Sequence, residues 1–323
     1  MRAIQVSEYG DADALEPVET GTPDPGPGEV RIEVAAAGIN FADVMQRRGH
    51  YPGGPEPPYV PGLEAAGTID AVGEDVDREV GERVVAMTGG RAYAEYVTAP
   101  AAALFDVPPG VSFEEAAGFP VQFLTAHLTL HDRGDLQAGE RVMIHAAAGG
   151  VGTAAVQLAA LAGAEVFGTA STDEKLALAE RLGADHAIDY TETDFREAVD
   201  RLTDGEGLDL VLDGVNGQTF DRSLDALSQY GRIVTYGAAS GDPRSADTTR
   251  LLFENKSVVG FHLGQTMQHD PGRVHAVVPE LTDLLGAGDL EVIVGETFPL
   301  AEAAAAHEFV ESRQSVGKVV LTP

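Results

Sequence analysis

Residues 141–152, RVMIHAAAGGVG, constrain the fold more than any other stretch of this chain. The apolar run reads as a buried strand and the small residues from Gly150 to about Ala162 as a helix, so the glycines form a strand-to-helix turn. Gly149 and Gly150 leave room for the backbone to approach a diphosphate, and Gly152, Ala154 and Ala155 let helix and strand pack closely. The amides and dipole of the new helix then face the anion. A glycine trio alone would equally suit an ordinary turn, and its surroundings decide. EVFGT (165–169) precedes a helix near 173–182, and HAIDY (186–190) precedes one near 193–203. LDLVLDGV (208–215) leads to a helix near 217–228 and GRIVTYG (231–237) ends the regular series, with SVVGFHL (257–263) as an edge strand. Short apolar strands alternating with helices predict an α/β fold with a doubly wound parallel sheet of the Rossmann type.

The first 121 residues follow another rule. Short strand patterns (RAIQV, EVRIEVAAAG, AGTIDAVG, GERVVAM, AYAEYV) are punctuated by turns such as Pro25-Gly26-Pro27-Gly28, which predicts a compact β-rich domain. After the sheet, residues 273–286 read as helix, and VIVGETFPL and VGKVVLTP as strands. The predicted organisation is a β-rich domain over 1–121, a nucleotide-binding domain over 122–264, and a return to the first domain over 265–323.

Composition removes several function classes. There is no cysteine, so disulfides, thiolate nucleophiles and Cys-ligated zinc are all excluded. Fifty-two acidic against 21 basic residues give a net charge of −31, which repels nucleic acid and anionic lipid. With only three lysines, Lys175, Lys256 and Lys318, the surface matches proteins of salt-rich cytoplasms, and a halophilic source is expected. Residues 143–164 hold no charged side chain, but Gly149, Gly150, Gly152 and Gly163 interrupt them, so a buried strand and helix suits them better than a membrane span. The start of the chain lacks the apolar core of a secretory signal, and a cytoplasmic protein is expected.

The second strand's tip selects the cofactor. NAD-preferring sites carry Asp or Glu there, about 20 residues beyond the glycines, to bind the ribose 2′-hydroxyl. Here the tip reads Gly168-Thr169-Ala170-Ser171, without a carboxylate. Ser171 and Lys175 can serve a 2′-phosphate instead, which favours NADPH over NADH. Ser171 with Glu174 also fits a helix capping box, and Lys175 also fits a solvated helix position.

Motifs over nearly the whole length resemble the zinc-free quinone oxidoreductase (zeta-crystallin-like) family of the medium-chain dehydrogenase/reductases. They are AGINFADVMQRRGHYP (37–52), PYVPGLEAAG (58–67), GGRAYAEYV (89–97), AAGFPVQFLTAH (116–127), AAAGGVGTAAVQLA (146–159), GTASTDEKLALAERLGADHAIDY (168–190) and GKVVL (317–321). The resemblance implies a GroES-like catalytic domain into which the Rossmann domain is inserted, and a homodimer joined at sheet edges, with strand 257–263 a candidate edge. Zinc alcohol dehydrogenases of the same superfamily have Cys and His as metal ligands near the first two motifs. Asn40 and Leu63 stand at those positions here, beside a surviving Glu64.

The resemblance also implies roles for individual residues. Asn40 and Tyr51 line the nicotinamide and substrate site, Thr125 lies by the nicotinamide, and Gly149, Gly150, Val151 and Gly152 form the diphosphate turn. Ser171 is read for the 2′-phosphate from its own chemistry; Lys175, Tyr190 and Arg313 match the family's positions around it. Tyr236, Gly237, Phe261, His262 and Leu263 border the nicotinamide ribose and carboxamide. Each has a plainer alternative: Tyr190 as a half-buried strand residue, Arg313 as a surface helix residue, Asn40 and Asp43 as turn formers. His50 and His145 read as local structural residues without an evident partner. The implied chemistry is hydride transfer from NADPH to a quinone or enone. The alternatives are an enoyl-thioester or alkenal reductase on the same fold, and a non-enzymatic NADPH-binding or RNA-binding protein, the latter opposed by the charge.

Overall fold

The computed structural model describes residues 1–323. The chain forms two compact units, Met1–Val121 with Glu280–Pro323, and Gln122–Pro279. The first begins with β1 (Arg2–Val6), β2 (Leu15–Glu19), β3 (Glu29–Ile39), α1 (Phe41–Arg47) and β4 (Glu64–Val72). It continues through β5 (Arg83–Met87), β6 (Tyr96–Pro100), β7 (Leu104–Asp106) and α2 (Phe113–Ala117) to α3 (Pro120–His127), whose later residues belong to the second unit. There the chain alternates β8 (Arg141–Ile144), α4 (Gly150–Leu161), β9 (Glu165–Ala170), α5 (Asp173–Arg181), β10 (His186–Asp189) and α6 (Phe195–Leu202). β11 (Leu208–Asp213), α7 (Gln218–Ala226), β12 (Leu227–Thr235), α8 (Thr248–Glu254) and β13 (Ser257–Gly260) follow, then α9 (Leu263–His269) and α10 (Pro271–His275). α11 (Val278–Ala287), β14 (Val294–Pro299), α12 (Ala303–Glu311) and β15 (Lys318–Thr322) complete the chain.

All strands of the second unit are parallel, in the order β10-β9-β8-β11-β12-β13. Their central residues are apolar and buried; Met143, Phe167, Val211 and Ile233 are fully buried. Chain order reverses between β8 and β11, and the crevice outside strand carboxyl ends at such a reversal is where open α/β sheets bind ligands. β13 lies at the sheet edge.

The first unit is built around β3. Val30, Ile32 and Val34 are buried and alternate with the more exposed Arg31 and Glu33, the period of a strand with one face on a core. That core includes Ile4, Ile69, Val84, Val97, Leu300 and Leu321. The start of β3 pairs with β6 and its end with β15, while β4 runs along its other side through two register shifts. The end of β3 therefore lies between the start of β4 and the start of β15.

Three expectations change. The edge strand stops at Gly260 rather than 263, because His262 becomes the N-cap of α9, its Nδ1 accepting the Gln265 amide at 3.0 Å. The helix expected over 273–286 is split into α10 and α11: Pro279 falls in the first turn of α11, where a missing N–H is harmless, and not in a helix interior. The second unit extends to Pro279 rather than 264, and Arg273 on α10 ties the added segment back to Asp132 of the same unit at 2.6 Å.

Candidate functional site

The turn after β8 is shaped by one close approach. Ala146 has a positive φ of 52°, and its carbonyl accepts the Gly149 amide at 2.8 Å. A Cβ on Gly152 would lie 2.1 Å from that carbonyl oxygen, so only glycine lets α4 start this tightly against the turn. The first-turn amides of α4, at Val151 and Gly152, have no preceding turn to bond and point off the helix end, the arrangement that binds anions. A Cβ on Gly150 would meet the Gln122 side chain at 2.8 Å. Gln122, on α3, is thus a neighbour of the turn that sequence reading missed, since nothing local links positions 122 and 150. The cradle fits a dinucleotide diphosphate.

Ser171, Lys175 and Tyr190 follow the carboxyl ends of the adjacent strands β9 and β10. The Tyr190 amide donates to the Ala170 carbonyl at 3.2 Å, and its side chain is 45% exposed, which places it just past the strand rather than half-buried within it. Thr172, not Ser171, caps α5, its hydroxyl accepting the Lys175 amide at 3.4 Å. That corrects the Ser171–Glu174 capping-box alternative. Partial burial lowers the Lys175 ammonium below the usual lysine range, with Glu174 opposing. Hydroxyl, cation and phenol at two neighbouring strand ends suit a 2′-phosphate. Arg313 belongs to the first unit, where it sits exposed just beyond α12 at a positive φ of 59°.

The remaining strand ends of this unit carry the other expected residues. Tyr236 and Gly237 follow β12, and Phe261, His262 and Leu263 follow β13, with the His262 ring engaged in capping. Thr125 is almost fully buried on α3, and its carbonyl accepts from the Thr129 hydroxyl at 2.7 Å. Asp213, at the end of β11, was not anticipated. Buried, it accepts the Val215 and Asn216 amides at 2.9 and 2.8 Å through Oδ1, leaves Oδ2 without a partner, and has its carboxyl pushed up by burial. His145 is structural but does have partners: its ring nitrogens meet Thr169 Oγ1 at 3.1 Å and Ser223 Oγ at 2.8 Å. Burial lowers its pKa to about 3, keeping it neutral.

In the first unit, Asn40 ends β3 and caps α1 in a capping box with Asp43, whose Oδ2 accepts the Asn40 amide at 2.8 Å. The Asn40 side chain is held by two ions: Lys318 Nζ donates to Oδ1 at 2.8 Å, and Nδ2 donates to Glu64 Oε1 at 2.9 Å. Lys318 and Glu64 are themselves paired at 2.5 Å, 2% and 0% exposed. Glu64 Oε2 accepts the Val121 amide at 2.8 Å. Asp43 also accepts from the Tyr93 hydroxyl at 3.3 Å, and that oxygen lies 3.1 Å from His307 Nε2. Burial pushes the Asp43 carboxyl up to about 7, with the Asn40 amide and Lys318 opposing. Tyr51 lies in the loop after α1, and burial and then the Asp43 charge push its phenol above the usual range. The polar side chains meeting at Asn40 come from distant parts of the chain, so sequence reading noted Glu64 and Lys318 without joining them.

These residues do not fit a catalytic zinc. Such a site needs three protein ligands. Here Leu63 supplies no donor, and the Glu64 carboxylate is already occupied by an ammonium and an amide.

Family models match both units: an alcohol dehydrogenase GroES-like domain over residues 26–109, and a zinc-binding dehydrogenase over 150–283. Human synaptic vesicle membrane protein VAT-1 homolog is 36% identical over 343 residues, which span 100% of this chain and 86% of that protein. The quinone oxidoreductase of Pseudomonas aeruginosa is 36% identical over 324 residues, spanning 100% and 99%. The crystal structure of Escherichia coli quinone oxidoreductase complexed with NADPH superimposes with a TM-score of 0.94 at 33% identity, covering all of both chains.

Proposed function

Because the chain belongs to the quinone oxidoreductase family of the medium-chain dehydrogenase/reductases, we propose that it is an NADPH-dependent oxidoreductase that reduces quinones or related electron-poor enones without zinc. The observation that supports this reading is the glycine turn at Ala146 and Gly152, which follows β8 beside the strand-order reversal and is so tight that only glycine lets the start of α4 pack against it.

Val151 and Gly152 hold the diphosphate through their backbone amides, while Gly149 and Gly150 leave room for its approach, the Gly149 amide being bonded to the Ala146 carbonyl. Ser171, Lys175, Tyr190 and Arg313 hold the 2′-phosphate. Thr125, Tyr236, Gly237, Phe261, His262 and Leu263 orient the nicotinamide ribose and ring, while the His262 Nδ1 is committed to capping α9 through the Gln265 amide. Bound NADPH supplies hydride at the nicotinamide C4. Asn40 and Tyr51 donate hydrogen bonds to the acceptor oxygen, meeting the negative charge that a metal would otherwise stabilise.

Two results follow. Lys175→Ala is expected to raise the NADPH Kd about 10- to 100-fold, the loss of one or two charge-assisted hydrogen bonds, while the NADH Kd changes less than about twofold. Fluorescence titration of both cofactors reads this, and equal weakening of both would remove Lys175 from the 2′-phosphate site. In steady state, NADPH oxidation is expected with 1,4-benzoquinone and 9,10-phenanthrenequinone at higher kcat/KM than with crotonyl-CoA, and more strongly in 2 M than in 0.05 M KCl, as the net charge of −31 requires screening. Preference for crotonyl-CoA would favour enoyl-thioester reduction, inactivity with every acceptor would overturn the enzyme reading, and equal rates at both salt levels would remove the halophilic one.

A further inference from the structure

The Lys318–Glu64–Asn40 cluster lies at the point where three strands meet. Asn40 follows the end of β3, Glu64 opens β4 opposite Gly38, and Lys318 opens β15 on the other side of β3. Room for the pair is cut into the backbone. A Cβ on Gly38 would lie 2.6 Å from Lys318 Cε and 2.9 Å from Glu64 Oε1, and one on Gly118 would lie 3.2 Å from Lys318 Cγ. A lysine with its ammonium 2% exposed beside a fully buried carboxylate gains little net stability over an apolar pair of similar volume, because two ions must be stripped of water. Its distinctive contribution is direction. Ammonium only donates and carboxylate only accepts, so Lys318 must face the Asn40 carbonyl and Glu64 the amide nitrogen. A flipped amide would set N–H against the ammonium and oxygen against the carboxylate.

One Nδ2–H is thereby committed to Glu64. The other has only the Gly38 carbonyl, at 3.5 Å, the outer limit of a hydrogen bond, and the Asn40 side chain is partly exposed. We propose that Lys318 is a positioning residue for reduction: it fixes and polarises the Asn40 amide so that this second Nδ2–H points at the acceptor oxygen. The inference rests on the reductase reading above and adds a residue to its machinery. Lys318 touches neither acceptor nor cofactor; it acts through Asn40.

The test is a double-mutant cycle in 2 M KCl with Lys318→Met and Asn40→Ala, singly and together, reading kcat and KM for 1,4-benzoquinone, the NADPH Kd and Tm. Asn40→Ala is expected to lower kcat about 100-fold, the usual loss of one donor to a developing oxyanion. Lys318→Met is expected to lower kcat about 10- to 100-fold with the NADPH Kd unchanged, the cost of a misplaced group. In the Asn40→Ala background the same change is expected to cost less than about threefold, because there is no amide left to position. An equal loss in both backgrounds, or full turnover in Lys318→Met, overturns the proposal. If Lys318→Met leaves Glu64 an uncompensated buried charge and does not fold, the Lys318→Met/Glu64→Gln variant removes both charges while the introduced side-chain carbonyl can still accept from Nδ2. It is expected to show the same loss of kcat, and wild-type turnover in it overturns the proposal. An inactive wild-type protein overturns the reductase reading together with this inference, whereas an active wild type with an indifferent Lys318 overturns only the inference.

Discussion

Gly152→Ala is expected to raise the NADPH Kd at least 100-fold and to destabilise the protein by about 1–3 kcal/mol, the usual cost of forcing an extra methyl into a packed site. The added Cβ would start 2.1 Å from the Ala146 carbonyl oxygen and 2.9 Å from the carbonyl carbons of Ala146 and Ala147, all backbone atoms that no rotamer change can clear. Either α4 or the turn must shift by more than 1 Å, roughly the difference between that contact and ordinary van der Waals separation. Such a shift turns the amides at Val151 and Gly152 away from the diphosphate. Two charge-assisted hydrogen bonds at about 1.5–3 kcal/mol each account for the predicted loss of affinity. Gly150→Ala is the informative contrast. Its Cβ would meet the Gln122 side chain, at 2.8 Å from Nε2, rather than backbone atoms, so its stability cost is expected to be smaller than that of Gly152→Ala. Fluorescence titration with NADPH and urea unfolding of both variants check the pair. A Gly152→Ala protein that binds NADPH like the wild type would show that the diphosphate lies elsewhere.

Asp43→Asn is expected to gain stability relative to the wild type, by about 4 kcal/mol between pH 4 and pH 8. Burial raises the Asp43 pKa from 3.8 to about 7 in the folded protein. The fold therefore favours the protonated carboxyl. This contribution is fully present below pH 3.8, the unfolded value, and is lost as pH rises through the folded value near 7. About three pH units at 1.4 kcal/mol each give the predicted magnitude. Asparagine keeps the geometry, since its Oδ1 can accept from the Asn40 amide and the Tyr93 hydroxyl as the carboxylate does. His307 and His145, both held neutral by burial with pKa values lowered to about 3, destabilise the protein as pH falls below 6.5, but equally in both proteins, so they cancel in the difference. Urea unfolding at pH 4, 6 and 8 in 2 M KCl measures it. A stability difference that is constant with pH would mean that Asp43 titrates as an ordinary carboxylate.

The features that sequence reading located correctly are local ones. The β–α alternation over 141–260 follows from apolar runs and helical periodicity within windows of ten to fifteen residues, and the observed strands keep the expected order. The glycine turn was legible because its constraint is steric and lies within seven residues, Ala146 to Gly152. The errors came where a local pattern had two outcomes. Strand 257–263 reads as continuous, but His262 caps a helix, and the capping box read at Ser171 and Glu174 gives way to Thr172, one residue on, as the cap of α5.

What the amino-acid sequence determined by itself was the alternating sheet, the tight glycine turn after β8 and the absence of a carboxylate at the tip of β9, because each depends on residues that are neighbours along the chain. Only the tertiary structure decided that Lys318 and Glu64 converge on Asn40, that His145 is held between Thr169 and Ser223, and that Asp43 is buried deeply enough to hold its proton near neutrality. The physical reason is sequence separation. Asn40 and Lys318 are 278 residues apart, and they meet because β15 pairs with the end of β3, a register set by the packing of a whole domain rather than by the residues on either side.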